Sequence, residues 1–141
     1  MVHGYTYSGH PVASAVALKN LEIMERDGIV ERVRDDIGPY FQAKARELFA
    51  DHPIVGEVRG VGLLAAIELV ANKKTRTFFP NIGDVGTICR NHCFQNGLVM
   101  RAIRDTMVLS PPLVITHAEV DELLGLAKRC IDATAKDLGR L

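Results

Sequence analysis

Residues 55–70 read VGEVRGVGLLAAIELV, and this stretch decides the fold. Residues 55–59 and 63–70 predict two strands, and the second is nearly all apolar, as expected for a strand inside a sheet. Gly60-Val61-Gly62 between them permits a tight turn or a bulge. A phosphate-binding glycine loop is disfavoured, because that motif needs a helix after the glycines and here a strand follows.

Helical patterns flank this hairpin on both sides. Residues 11–27 are apolar around most of the helix, so we expect it to be buried or to lie in an interface, with Ser8 as N-cap. Residues 29–50 continue as a helix with a kink or break at Gly38-Pro39. Residues 84–96 predict a helix, and residues 98–101 and 106–109 predict short strands. A capping box at residues 116–119 starts the last helix. This order predicts an α+β fold with a small, mainly antiparallel sheet covered by helices on one face.

Composition narrows the class of protein. The chain has 141 residues, is 48% hydrophobic and carries 17 acidic and 17 basic side chains, which suits one neutral folded domain. A neutral chain lacks the electrostatic footprint of a nucleic-acid binder. No apolar run reaches membrane-spanning length, and no signal peptide is recognisable. We therefore expect a cytoplasmic protein without nucleic-acid or membrane partners.

The three cysteines raise the question of a metal site. Cys89 and Cys93 stand four residues apart with His92 beside them, but nothing obvious supplies a third and fourth ligand. Cysteine is among the most buried residue types, and the pair lies on the apolar face of its predicted helix. We expect Cys89, Cys93 and also Cys130 to pack in the core, and we predict no metal site.

Two groups of residues have the chemistry of binding sites. Arg101 ends a predicted strand in an apolar setting, where a guanidinium can hold a carboxylate through a planar two-pronged contact. The hydroxyls of Tyr5, Thr6, Tyr7 and Ser8 lie in a glycine-flanked loop before a helix, a setting that suits a phosphate. A surface arginine and an ordinary capping turn explain the same patterns, and residue chemistry alone favours these two interpretations over binding sites.

Four motifs, in chain order, resemble class III pyridoxal-phosphate (PLP) aminotransferases of the ω-transaminase type. They are HGYTYSGHP at 3–11, VRGVGL at 58–63 followed by Glu68-Leu69, GLVMR at 97–101 with LSPPL at 109–113, and the helix start at 116–121. The match covers essentially the whole chain. It implies the fold of the small domain of fold-type I PLP enzymes, preceded by a helix of the large domain.

The resemblance also implies roles for individual residues. Thr6, helped by Tyr5, corresponds to the position that binds the PLP phosphate of the neighbouring subunit, so the active site is shared across a homodimer. Arg101 corresponds to a mobile arginine that pairs with the substrate carboxylate and swings aside for amines without one. The implied reaction moves an amino group from an amine or ω-amino acid to a keto acid such as pyruvate.

The catalytic lysine of the family has no counterpart in these residues. Lys19 is the only lysine near the opening motif, and it falls in the middle of a helix, so we interpret it as solvated. We therefore expect no catalytic residue here, residues 1–27 to be the tail of the large PLP-binding domain, and residues 28–141 to be the small domain. Two hypotheses follow: a transaminase represented by its C-terminal part and inactive alone, or a non-catalytic interaction or regulatory module that associates with a full-length transaminase subunit.

Overall fold

The computed structural model describes residues 4–141, and the first three residues of the predicted 1–27 segment lie outside this range. The described residues form an α+β fold, as predicted. The elements in chain order are α1 (Pro11–Arg26), α2 (Ile29–Arg32), a π-helical turn (Val33–Ile37), α3 (Gly38–Phe49), β1 (Val55–Val61), β2 (Leu64–Leu69), α4 (Asp84–Gln95), β3 (Arg101–Ile103), β4 (Thr106–Leu109) and α5 (His117–Asp137).

The four strands form one antiparallel sheet in the order β1-β2-β4-β3. The first hairpin is longer and tighter than predicted, because β1 runs on to Val61, which pairs with Leu64. Only Gly62 and Leu63 remain in the turn. Gly62 has a φ of +55°, which glycine adopts without steric cost. The predicted three-residue turn is thus a two-residue turn.

One face of the sheet forms the core. Side chains alternate along a strand, so every second residue of β2 and β4 points to the same side. The buried set on these strands is Ala65, Ile67, Leu69, Met107 and Leu109. Helices α3 and α4 lie against the sheet, and α5 packs against both helices. The opposite face of the sheet carries exposed and half-buried residues, and we call it the open face.

The predicted interruption at Gly38-Pro39 is present, but the helix widens there instead of breaking. Proline has no N–H to donate and its ring crowds the preceding turn. The five residues before Gly38 form the π-helical turn, and Pro39 occupies the first turn of α3, where a missing N–H costs little. Gln42 of α3 then donates to the carbonyls of Gly62 and Leu64, both at 3.0 Å, which fixes the helix to the first hairpin.

Helix α1 was expected to be buried or to lie in an interface, and it is not buried against the rest of the described chain. None of its residues is buried within the chain, and Val12, Val16, Leu18 and Leu21 are each at least 60% exposed. Its predicted end at Gly28 is confirmed, since Asp27 is the C-cap and Gly28 has a φ of +58°. No helix within residues 4–141 is both long enough and apolar enough to cross a membrane.

In the second hairpin, the structure corrects the predicted start of the first strand. Residues 98–100 are not in a strand, and β3 begins at Arg101, so Arg101 starts this edge strand where it was predicted to end one. Buried Leu98 and Met100 instead anchor the segment in the core. The turn at Arg104-Asp105 lies between the two predicted strands, and the capping box between Thr116 and Glu119 is as predicted.

Candidate functional site

The opening motif folds into two consecutive turns that lead into α1. The backbone N–H of Ser8 donates to the carbonyl of Tyr5 at 2.9 Å, and that of His10 donates to Tyr7 at 3.2 Å. Thr6 lies in the middle of the first turn and is exposed. Its hydroxyl has no hydrogen-bond partner among the residues that the structure describes. An exposed hydroxyl beside loop amides fits an oxyanion, so the donor set of this turn suits a phosphate.

The N-cap of α1 is His10, which corrects the prediction of Ser8. Its Nδ1 accepts a hydrogen bond from the backbone N–H of Ala13 at 3.3 Å, and its carbonyl accepts from Ser14 at 3.0 Å. Pro11 occupies the first helical position, where proline is favoured. That preference was the available signal, because a proline at the first position places the N-cap at the residue before it.

Arg101 lies on the open face of the sheet. It pairs with Val108 of β4, Val108 pairs with Ala66 of β2, and Ala66 pairs with Arg59 of β1. Directly opposed residues in antiparallel strands point to the same face. Arg59 and Arg101 therefore stand at the two ends of one row across the sheet, with small and medium side chains between them.

The two arginines of this row differ in their charge environment. Arg59 donates to the carboxylates of Glu57 at 3.0 Å and Glu68 at 2.9 Å, and the hydrogen bond to Glu68 raises the pKa of Arg59. Arg101 is exposed and forms no ion pair with any described residue. The guanidinium of Arg101 is therefore free for an external carboxylate, whereas that of Arg59 is already neutralised. This distinction follows from strand register and was not foreseen for Arg59.

The cysteines are core residues, as predicted. Cys89, Cys93 and Cys130 are each at most 1% exposed and carry free thiols. Contact with Cys89 and burial raise the pKa of Cys93, and burial raises the pKa of Cys130. No cluster of His, Cys, Asp and Glu within residues 4–141 has the arrangement of a metal site. Lys19 is exposed and paired with Glu22 at 2.7 Å, as expected of a solvated lysine.

The candidate residues are not gathered in one pocket. Two open grooves, of about 680 Å³ beside Pro39 and Val61 and about 580 Å³ beside Pro111 and Leu123, are lined by other residues. No hydrogen bond among the described residues connects the Tyr5–Ser8 turn to Arg101. Within residues 4–141, the exposed hydroxyls of the Tyr5–Ser8 turn and the guanidinium of Arg101 thus belong to two regions that no hydrogen bond connects.

Comparison with known proteins gives a consistent set of relatives. The family model described as aminotransferase class-III matches residues 1–131. The putrescine–pyruvate aminotransferase of Pseudomonas aeruginosa is 59% identical over 133 residues, which are 94% of this chain and 29% of that protein. The mitochondrial gamma aminobutyrate transaminase 1 of Solanum lycopersicum is 42% identical over 99% of this chain and 27% of its own length.

Solved structures agree with the sequence matches. The omega transaminase from Pseudomonas jessenii in complex with PMP superposes with a TM-score of 0.90 at 37% identity. The superposition covers 98% of this chain and 30% of that one. The chain therefore spans less than a third of the length of these relatives.

Proposed function

The chain belongs to the class III aminotransferase family, and from this premise we propose that it is the C-terminal part of a PLP-dependent transaminase of the ω-transaminase type. The proposed reaction transfers an amino group from an amine or ω-amino acid to a keto acid such as pyruvate. When bound, PLP supplies the electron sink for this chemistry. The observation that carries the proposal is the guanidinium of Arg101 on the open face, which forms no ion pair with any described residue, whereas two glutamates neutralise Arg59 at the other end of the same row.

Thr6 and Tyr5 are the proposed contacts of the PLP phosphate. Both are exposed in a turn that leads into a helix N-terminus, where loop amides and the helix dipole favour an anion. We assign this contact to the cofactor of the neighbouring subunit in a homodimer. Thr6 is exposed, and no catalytic group in the described part of the chain lies against it. A contact with the cofactor of the other subunit is consistent with this exposure.

Arg101 is the proposed binding residue for the substrate carboxylate. A planar guanidinium forms two parallel hydrogen bonds with a carboxylate, and a long side chain at a sheet edge has room to move. The row of Arg101 contains Val108, Ala66 and Arg59 and no carboxylate. Glu57 and Glu68 of the neighbouring row are bound by Arg59. The same side chain can swing away when an amine without a carboxylate binds.

The division of the chain is part of the proposal. We assign residues 1–27 to the tail of a large PLP-binding domain and residues 28–141 to the small domain. The distribution of burial supports this boundary, since α1 has no buried residue and the core begins at Ile37. The exposed apolar side chains of α1 fit contacts with a large domain or a partner subunit. Three free thiols fit a reducing compartment such as the cytoplasm.

The proposed function is tested with a matched pair of charge-removing variants in the complete subunit. Arg101→Gln removes the proposed carboxylate contact, and Arg104→Gln removes an exposed positive charge on the adjacent turn. We expect kcat/KM for pyruvate to fall about 10- to 100-fold in Arg101→Gln, because a charge-assisted contact is lost. Amination of the cofactor by putrescine, which has no carboxylate, is expected to change less than about two-fold.

The controls decide between a carboxylate contact and a general effect. Arg104→Gln is expected to match the parent with both substrates. Equal losses for pyruvate and putrescine in Arg101→Gln, or no loss for pyruvate, would refute the assignment of Arg101. For the 141-residue chain alone we expect no bound-PLP absorbance and no transamination, and detection of both in the purified chain would show that it needs no further domain.

A further inference from the structure

We propose that His10 is a positioning residue for the phosphate contact, because it connects the turn that holds Thr6 to the rigid end of α1. The inference rests on the proposed function, since it concerns how Thr6 is held and not whether Thr6 contacts the cofactor. The hydrogen bonds made by His10 distinguish it from the other residues of the opening motif.

His10 takes part in both the turn and the helix. Its backbone N–H donates to Tyr7 at 3.2 Å and closes the turn that follows Thr6. Its carbonyl accepts from Ser14 at 3.0 Å, the first bond of α1, and its Nδ1 accepts from Ala13 at 3.3 Å. One residue therefore fixes the end of the turn relative to the helix axis.

The rest of the segment has few alternative restraints. Residues 4–10 are all exposed, and α1 itself has no buried residue. Tyr5 and Tyr7 pack edge to face with ring centroids 6.3 Å apart, which stiffens only the first turn. Packing among the described residues does not fix the direction of the turn before α1 relative to the helix. The hydrogen bonds of His10 therefore fix that direction within the described residues.

The cap also dictates which substitutions preserve the arrangement. Nδ1 accepts a hydrogen bond, so the neutral ring carries its hydrogen on Nε2. An asparagine side chain offers an acceptor at a similar distance from the backbone and is among the best N-cap residues, whereas alanine offers none. His10→Asn should therefore keep the geometry of the Thr6 turn, and His10→Ala should release it.

The test compares PLP with pyridoxal, which lacks the phosphate, in the complete subunit. Dissociation constants are measured from the visible absorbance of the bound cofactor. We expect the dissociation constant of PLP to rise about five-fold in His10→Ala, which is the size of a typical lost cap, and that of pyridoxal to stay unchanged. His10→Asn and the control Lys19→Ala, which removes an exposed ion pair in α1, should both match the parent.

Three outcomes would overturn the inference. They are unchanged PLP binding in His10→Ala, an equal loss for PLP and pyridoxal, and a loss in His10→Asn as large as that in His10→Ala. Thr6→Ala separates this inference from the function on which it rests. If Thr6→Ala weakens PLP and His10→Ala does not, only the role of His10 is wrong. If Thr6→Ala has no effect on PLP, the phosphate assignment fails as well.

Discussion

The carboxylate of Asp105 lies 2.9 Å from the backbone nitrogen of Gly86 and accepts its hydrogen bond. The second carboxylate oxygen accepts from the N–H of Gly83 at 3.0 Å. Asp105 belongs to the turn between β3 and β4, so it attaches the hairpin that carries Arg101 to the N-terminus of α4. A buried carboxylate at this end of a helix satisfies open N–H groups and complements the helix dipole.

Removing this carboxylate is expected to destabilise the domain. Asp105→Ala leaves the buried N–H of Gly86 without a partner, and we expect the free energy of unfolding to fall by about 2 kcal/mol. Asp105→Asn keeps one acceptor oxygen, so its free energy of unfolding should fall less than that of Asp105→Ala. Urea unfolding followed by circular dichroism measures both. A loss below about 0.5 kcal/mol in Asp105→Ala would show that this contact does not hold the hairpin.

The same contact makes a matched pair of glycine substitutions informative. A Cβ on Gly86 would lie 1.9 Å from the carbonyl oxygen of Arg104, so Gly86→Ala should force the hairpin and α4 apart and cost about 2 kcal/mol. In α5 a Cβ on Gly125 would meet nothing closer than 3.8 Å. Gly125→Ala should therefore stabilise the domain by about 0.5–1 kcal/mol through helix propensity. Effects of the same sign in the two variants would contradict this packing.

The burial of His52 leads us to expect a loss of stability in mild acid. It is 6% exposed, its Nε2 lies 3.0 Å from Asp132, and its Nδ1 accepts from the N–H of Ile54. Burial lowers the pKa of His52 below its usual value of 6.5, although the hydrogen bond with Asp132 opposes the shift. The unfolded chain therefore binds the proton more tightly, so the contribution of His52 is present above pH 6.5 and is lost as the pH falls through the folded-state pKa.

The measurement is the free energy of unfolding of the parent and of His52→Gln between pH 7.5 and 5. We expect the parent to lose more stability than the variant across this range, because the variant lacks the titrating group while carboxylate effects are common to both. Parallel curves for the two proteins would rule out the assigned role of His52.

The buried thiols predict slow modification of the folded domain. Cys93 and Cys130 have raised pKa values, and each of the three cysteines is at most 1% exposed. An aromatic disulfide reagent at pH 8 should react with three thiols in urea and, in the folded chain, only as fast as the domain opens. Immediate reaction of one thiol without denaturant would contradict the burial of that side chain.

Local patterns were sufficient for most of the fold. The apolar run in residues 63–70, the glycine between the strands and the capping box at Thr116 each reflect interactions within a few residues, and the strand, the turn and the cap all appear in the structure. The prediction failed where the deciding contact is distant in sequence. The start of β3 depends on Leu98 and Met100 being drawn into the core, and no local pattern encodes that contact.

The residues of the candidate site show the same difference between local patterns and contacts that are distant in sequence. The hydroxyl turn was recognisable from the sequence, but the pairing of Arg59 with Glu68 depends on the register of the hairpin, which a one-residue change in the turn would alter. The difference between a neutralised Arg59 and a free Arg101 therefore needed the structure. Whether α1 has a partner depends on surfaces outside these residues, which periodicity in α1 cannot specify.

The central claim is that this chain supplies the phosphate contact of an active site shared between two subunits. The most direct measurement is subunit complementation. One complete subunit carries Thr6→Ala with its Schiff-base lysine intact, and the other keeps Thr6 but has that lysine replaced by alanine. Each variant alone is expected to be impaired. Mixed dimers combine an intact lysine and an intact Thr6 in one of their two sites, so they should regain about half of the activity of the parent per dimer. Mixed dimers no more active than the two variants measured separately would show that Thr6 does not act across the dimer.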